Sequence, residues 1–167
     1  MLDAFCFTGG FALNAVLGGA VSVEGVDTST PAILAARENA ARNGLADMRF
    51  DTADAVEVLS GGGTWDLIVC DPPKLAGSRQ DLDAALTRYL RINQAAIRAL
   101  APDGILVTCS CSGVLQRDAF LALVRDAAHL SGRHLCMTHV RGAGPDHVLN
   151  PAYPEGEYLK CVVAAVV

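Results

Sequence analysis

The sequence predicts an α/β fold, a mostly parallel seven-stranded sheet ending in an antiparallel edge hairpin. Strand-like apolar runs alternate with helix-like stretches along all 167 residues, without repeats, low-complexity tracts or linkers. The helix candidates carry their own punctuation: Pro31 opens one that ends at Asn43-Gly44, and Gly18-Gly19 ends another. The last two apolar runs are joined by a loop rich in Gly and Pro instead of a helix, which predicts the hairpin.

Taken in order, strand one covers 1–5, followed by a Gly-containing turn over 6–10 and a helix over Phe11–Leu17. Ala20–Val26 is strand two and stops at Asp27; Thr28 or Ser29 then caps the helix that begins at Pro31. Met48–Asp51 is a short third strand, leading to Asp54 and a helix ending at Leu59. Gly61-Gly62-Gly63 precedes strand four, Trp65–Cys70, which delivers Asp71. A polar stretch over Leu75–Asp81 leads to a helix over Leu82–Leu100, and Ala101-Pro102-Asp103-Gly104 turns the chain into strand five, Ile105–Cys109. A helix over Arg117–Leu130 and strands at His134–Val140 and Tyr158–Val167 complete the pattern.

The length fits one domain with a full core. Apolar residues make up 51% of it, but no run reaches the roughly 18 residues a membrane helix needs. The N-terminus lacks the basic start of a secretory signal, so a cytoplasmic location without membrane contact is expected. Six cysteines (Cys6, Cys70, Cys109, Cys111, Cys136 and Cys161) lack paired metal spacing, and most read as small buried hydrophobes, so no metal is expected. A net charge of −5 excludes a strong, indiscriminate phosphate binder; any RNA affinity must be local or supplied elsewhere. Arg88, Arg91 and Arg98 share one helix face, which reads as a solvated surface.

Three strand ends predict a nucleoside-binding site. Asp3, Phe5, Phe7, Thr8, Gly9 and Gly10 lie in a strand-to-helix turn where glycine lets the backbone approach a ligand. The next strand ends in Asp27-Thr28-Ser29, at the distance where doubly wound folds place an acid on ribose hydroxyls, and Asp54 stands at the third strand end. The turn is not the GxGxxG that a pyrophosphate requires, so S-adenosyl-L-methionine is favoured over NAD. Asp27 and Asp54 also suit helix capping. Two further segments end strands on the same side of the sheet: Asp71-Pro72-Pro73-Lys74, offering a carboxylate, and Cys109-Ser110-Cys111-Ser112-Gly113, offering a thiol.

Together with Tyr153-Pro154-Glu155-Gly156-Glu157-Tyr158-Leu159-Lys160, these motifs resemble the ribosomal RNA large-subunit methyltransferase I group, in order and over essentially the whole chain. The resemblance implies a Rossmann-like class I methyltransferase fold, an S-adenosylmethionine-dependent 23S rRNA cytosine-C5 methyltransferase, and RNA as partner. Family members also carry an N-terminal RNA-binding PUA domain and a linking domain, which these 167 residues lack; residues 1–167 are expected to be the methyltransferase domain alone. A homodimer is compatible with the sequence.

The C5 of a pyrimidine is a poor nucleophile, and a thiolate adding to C6 overcomes this. The resemblance places that thiol at Cys111. Strand alternation puts Cys109 and Cys111 on one face, and Cys111 is nearer the strand end. Asp71 is expected to hold the base and, with Pro72, to contact the cofactor, while Pro73, Lys74, Tyr153 and Lys160 are expected on the substrate side, with Tyr158 a further stacking candidate. Two other readings compete: a base-amine N-methyltransferase, against which Lys74 and an idle cysteine count, and a non-catalytic S-adenosylmethionine-binding module.

Overall fold

Alternating apolar runs and capped helices fold as the predicted α/β sheet in a computed structural model that describes residues 1–147, 150, 152 and 156–167. The strands are β1 (Leu2–Asp3), β2 (Glu24–Asp27), β3 (Arg49–Thr52), β4 (Trp65–Cys70), β5 (Leu100–Ser110), β6 (Leu135–Arg141) and β7 (Lys160–Val166). The helices are α1 (Gly10–Leu17), α2 (Thr30–Arg42), α3 (Ala55–Ser60), α4 (Leu82–Ala99) and α5 (Arg117–Leu130). Among the described residues the strands form one sheet in the order β3-β2-β1-β4-β5-β7-β6. The first five are parallel, and β7 runs antiparallel between β5 and β6.

This order makes β1 and β4 the switch point. The chain leaves β1 toward β2 and β3, then returns to β4 and continues the other way, which opens a crevice above the carboxyl ends of the central strands. Alternation along each strand builds the two faces. Leu2, Val26, Ile68 and Leu106 pack with Leu59 of α3, Ile97 of α4 and Ala127 of α5. On the other face, Phe50 and Cys6 pack with Leu13 of α1 and Ile33 and Ala36 of α2. Each fully buried aliphatic side chain stabilises the fold by about 1.5–3 kcal/mol. A third cluster joins Tyr89 of α4 to Phe120 of α5 edge-on, ring centres 5.8 Å apart, beneath the β5–β7 pair.

Several boundaries differ from the sequence expectation. Strand one pairs only over Leu2–Asp3, so Phe5 lies in the turn beyond it. Strand two starts at Glu24, not Ala20, because pairing with both β1 and β3 begins at Glu24; Val21 is fully exposed. Strand five absorbs its expected turn. Trp65 pairs with Leu100 and Leu67 with Ile105, so residues 101–104 form a bulge, with Asp103 at φ 61°. The last strand begins at Lys160 rather than Tyr158.

Candidate active site

At the switch point the turn after β1 is shaped by Gly9, whose φ of 86° favours glycine and starts α1. A Cβ on Gly10 would meet nothing within 4 Å, so the opening of α1 faces open space. Asp3 is fully buried below this turn. Its Oδ2 accepts the Ala12 amide of α1 at 3.1 Å, while Oδ1 has no partner among the described residues. Burial pushes the Asp3 carboxyl up to about 7 against the opposing pull of that amide, and the Asp71 and Asp27 carboxylates add to the rise.

Asp27 ties the site together. Its Oδ2 accepts the Phe7 amide at 3.0 Å and its Oδ1 the Ser29 amide at 2.9 Å, so one carboxylate braces the turn after β1 and the start of α2. Phe7 is held at φ 47° with its ring exposed, and the Thr8 carbonyl accepts from Asn39 of α2 at 3.0 Å. Ser29, rather than the exposed Thr28, caps α2 by accepting the Ala32 amide. Asp54 caps α3 through the Val56 and Glu57 amides, both on Oδ1. The described structure therefore gives Ser29 and Asp54 structural duties at the places where the sequence predicts cofactor contacts.

These groups suit S-adenosylmethionine on one physical ground. A buried carboxylate with an unpartnered oxygen lacks a cation, and the α-ammonium and sulfonium of that cofactor are cations. Asp3 and the open Gly9-Gly10 turn would hold it, with Asp27 and Asp54 next along the row of strand ends.

Across the switch point, β4 delivers a half-buried Asp71, whose carboxyl burial also pushes up, then buried Pro72 and exposed Pro73 and Lys74. Next to it β5 delivers the cysteines. Cys109 is 5% exposed and stands directly opposite Cys161 of β7. Its thiol is held protonated first by a hydrogen bond with Cys161 and then by burial. Burial likewise pushes up the thiols of Cys6, to about 12, and Cys70. Cys111 is half-buried and lines an open cavity of about 1640 Å³. Lys74, Arg79, Arg117, Arg141 and Lys160 line the same cavity, with Glu157 the one carboxylate among its lining residues. An acidic chain thus concentrates positive charge around one thiol.

The serines on either side of Cys111 are buried and locked to each other through Tyr89. Ser110 Oγ donates to Tyr89 Oη at 3.0 Å, and Tyr89 Oη lies 3.1 Å from Ser112 Oγ. Ser112 Oγ also accepts the Ala76 amide at 3.1 Å, joining the segment after Lys74 to the segment around Cys111. Sequence reasoning did not single out Tyr89, Arg117 or Arg141; Tyr89 reads as an ordinary apolar position of an amphipathic helix, and its network exists only between elements distant in sequence. Lys160 is 4% exposed, with its ammonium on the Ser112 and Tyr158 carbonyls. Tyr153 lies outside the described residues. Of the arginines on α4, Arg98 donates to the Leu130 carbonyl at the end of α5, and with Arg91 it lines a separate cavity of about 470 Å³ between α3 and α4 that includes none of the predicted site residues.

A family model described as a methyltransferase domain matches residues 1–156. The chain belongs to the methyltransferase-domain family. It is 43% identical over 172 residues to the ribosomal RNA large subunit methyltransferase I of Shewanella frigidimarina, and 41% identical over 169 residues to that of Aeromonas hydrophila. These alignments cover 99% and 98% of the chain, which spans 43% of the length of each relative. Among solved structures, SMU.776 complexed with SAH superposes with a TM-score of 0.86 at 18% identity, covering 99% of this chain and 44% of that one. NSun6 from Pyrococcus horikoshii with SFG gives 0.70 at 20% identity, covering 98% of this chain and 47% of that one. These two likenesses show the shared Rossmann-like fold of this methyltransferase domain.

Proposed function

We propose that residues 1–167 are the catalytic domain of an S-adenosylmethionine-dependent enzyme that methylates C5 of a cytosine in large-subunit (23S) ribosomal RNA, in the cytoplasm, with Cys111 as covalent nucleophile. The observation that carries this reading is the placement of the half-buried Cys111 in a cavity lined by cations, at the end of the strand paired with the one that delivers Asp71. Cations collected around a thiol suit a polyanionic substrate. The relatives named ribosomal RNA large subunit methyltransferase I support the choice of RNA.

When bound, S-adenosylmethionine supplies the methyl group and leaves as S-adenosylhomocysteine. The Cys111 thiolate adds to C6, and the electron pair of the C5=C6 bond makes C5 nucleophilic toward that methyl carbon. Asp71, whose carboxyl burial favours the protonated form, donates a hydrogen bond at N3 as negative charge grows on the ring. After transfer, solvent water takes the C5 proton, and the C–H electron pair rebuilds the C5=C6 bond and expels Cys111 as thiolate. Tyr89, Ser110 and Ser112 hold the backbone of Cys111 during this cycle. Pro73, Lys74 and Tyr153 remain assigned to the substrate side.

Incubating the protein with S-adenosylmethionine and RNA carrying 5-fluorocytosine tests the reading, because fluorine at C5 blocks the release step. A covalent adduct that maps to Cys111 and is lost in Cys111→Ala is expected. Methyl transfer to unmodified RNA that survives Cys111→Ala would overturn it.

A further inference from the structure

Lys160 is the first residue of β7 and stands directly opposite Ser110 in the antiparallel register, while its Nζ donates to the Ser112 carbonyl at 2.6 Å. Lys160 therefore engages both neighbours of Cys111, Ser110 through strand pairing and Ser112 through its ammonium. A second proton goes to the Tyr158 carbonyl at 2.8 Å, which leaves one of its three donors without a carbonyl partner among the described residues. No carboxylate among the described residues lies within 4.0 Å of it. A lysine 4% exposed and held by carbonyls is, among the described residues, a buried charge without a counter-ion, an arrangement that costs free energy unless an anion completes it.

We propose that Lys160 is a positioning residue for the nucleophile: its buried ammonium is the counter-charge of the Cys111 thiolate and fixes the segment that presents that thiolate. This deepens and rests on the assignment of Cys111 as nucleophile. Burial pushes the Lys160 ammonium down, and the Cys111 thiol is the group that opposes this push. The other charges around the thiol are placed differently. Lys74, Arg79, Arg117, Arg141 and Glu157 line the cavity with exposed side chains that water and salt screen, as does the exposed ring of His147. Asp71, at the end of β4, bears on Cys109 and Cys161: it adds to the rise of Cys109 and opposes the hydrogen bond with Cys109 that lowers Cys161. Lys160 is the buried cation among them.

The test is the pH profile of iodoacetamide alkylation, read thiol by thiol by peptide mass spectrometry on the whole chain. Exposed Cys136 on β6 serves as internal reference. An opposite charge at close range shifts a titration by about 1–3 pH units, so removing the Lys160 charge should displace the Cys111 profile by at least about one unit while the Cys136 profile stays in place. Lys160→Met should move the Cys111 profile upward and slow its alkylation at neutral pH about tenfold, and Lys160→Arg should restore most of it. Lys160→Gln serves as the second charge-removing variant where Lys160→Met fails to fold, and a Cys111 profile unmoved in it would overturn the proposal. So would a Cys111 profile unmoved in a folded Lys160→Met. Because alkylation needs no RNA, a Lys160-dependent profile combined with methylation that survives Cys111→Ala would reject the nucleophile assignment while leaving the ion pair intact.

Discussion

The two halves of the crevice have opposite electrostatics. On the β1–β3 side the strand ends carry Asp3, Asp27 and Asp54, and four backbone amides are drawn to the last two. On the β5–β7 side the strand ends carry thiols and serines, surrounded by Lys74, Arg79, Arg117, Arg141 and Lys160. The difference teaches how one domain of net charge −5 can present two regions of opposite charge. In the proposed function the acidic half takes the cationic cofactor and the basic half the polyanionic RNA, with Asp71 at the border.

The largest break in this division comes from the thiol itself. Cys111→Ala should lower methylation of large-subunit RNA by at least about 10³-fold, since removing a covalent nucleophile leaves only positioning; radiolabelled methyl transfer measures it. Cys109→Ala, on the Cys161 side of the strand, should cost far less in the same assay.

The acidic half is tested by pH. Asp3 has a folded-state pKa raised above its unfolded value of 3.8 to about 7, so between those values the folded state holds a proton that the unfolded state has lost. Stability without cofactor should therefore fall as pH rises from about 4 to 7, by on the order of 4 kcal/mol at most, and level off above. Urea titrations across that range measure it. Asp3→Asn should remove the slope, and saturating S-adenosylmethionine should oppose it by supplying the missing cation.

A smaller effect is expected in the network that holds the segment around Cys111. Tyr89→Phe leaves Ser110 and Ser112 short of a buried partner and should cost about 1–3 kcal/mol in a denaturant melt. The smallest single effects belong to the cavity rim. Arg79→Ala, Arg117→Ala and Arg141→Ala should each weaken RNA binding uniformly across sequences and reduce the slope of log affinity against log salt by roughly 0.7 to 1. A rim variant that leaves the slope unchanged would remove that arginine from the RNA path.

Much of this architecture was legible in the chain. Pro31, Gly44 and Gly18-Gly19 marked helix ends close to where they stand, because caps act on neighbouring residues. Strand extents were less legible. Whether Ala20–Val23 pairs, or whether residues 101–104 bulge, depends on partners far away in sequence. The acids at the strand ends were legible as a set, but their individual duties were not. Asp27 and Asp54 look alike in sequence, yet one braces two loops and the other caps a single helix.

By itself the sequence determined the α/β class, the order of the elements and the side of the sheet on which Asp3, Asp71 and Cys111 emerge, because period and punctuation are local properties. Only the tertiary structure decided which of these groups lack partners and which charges face the thiol. The orphaned oxygen of Asp3, the cations around Cys111 and the burial of Lys160 between Ser110 and Ser112 depend on solvent exclusion and on contacts between β5, β7 and α4. Burial and field are sums over neighbours, and those neighbours are assigned only when the sheet closes.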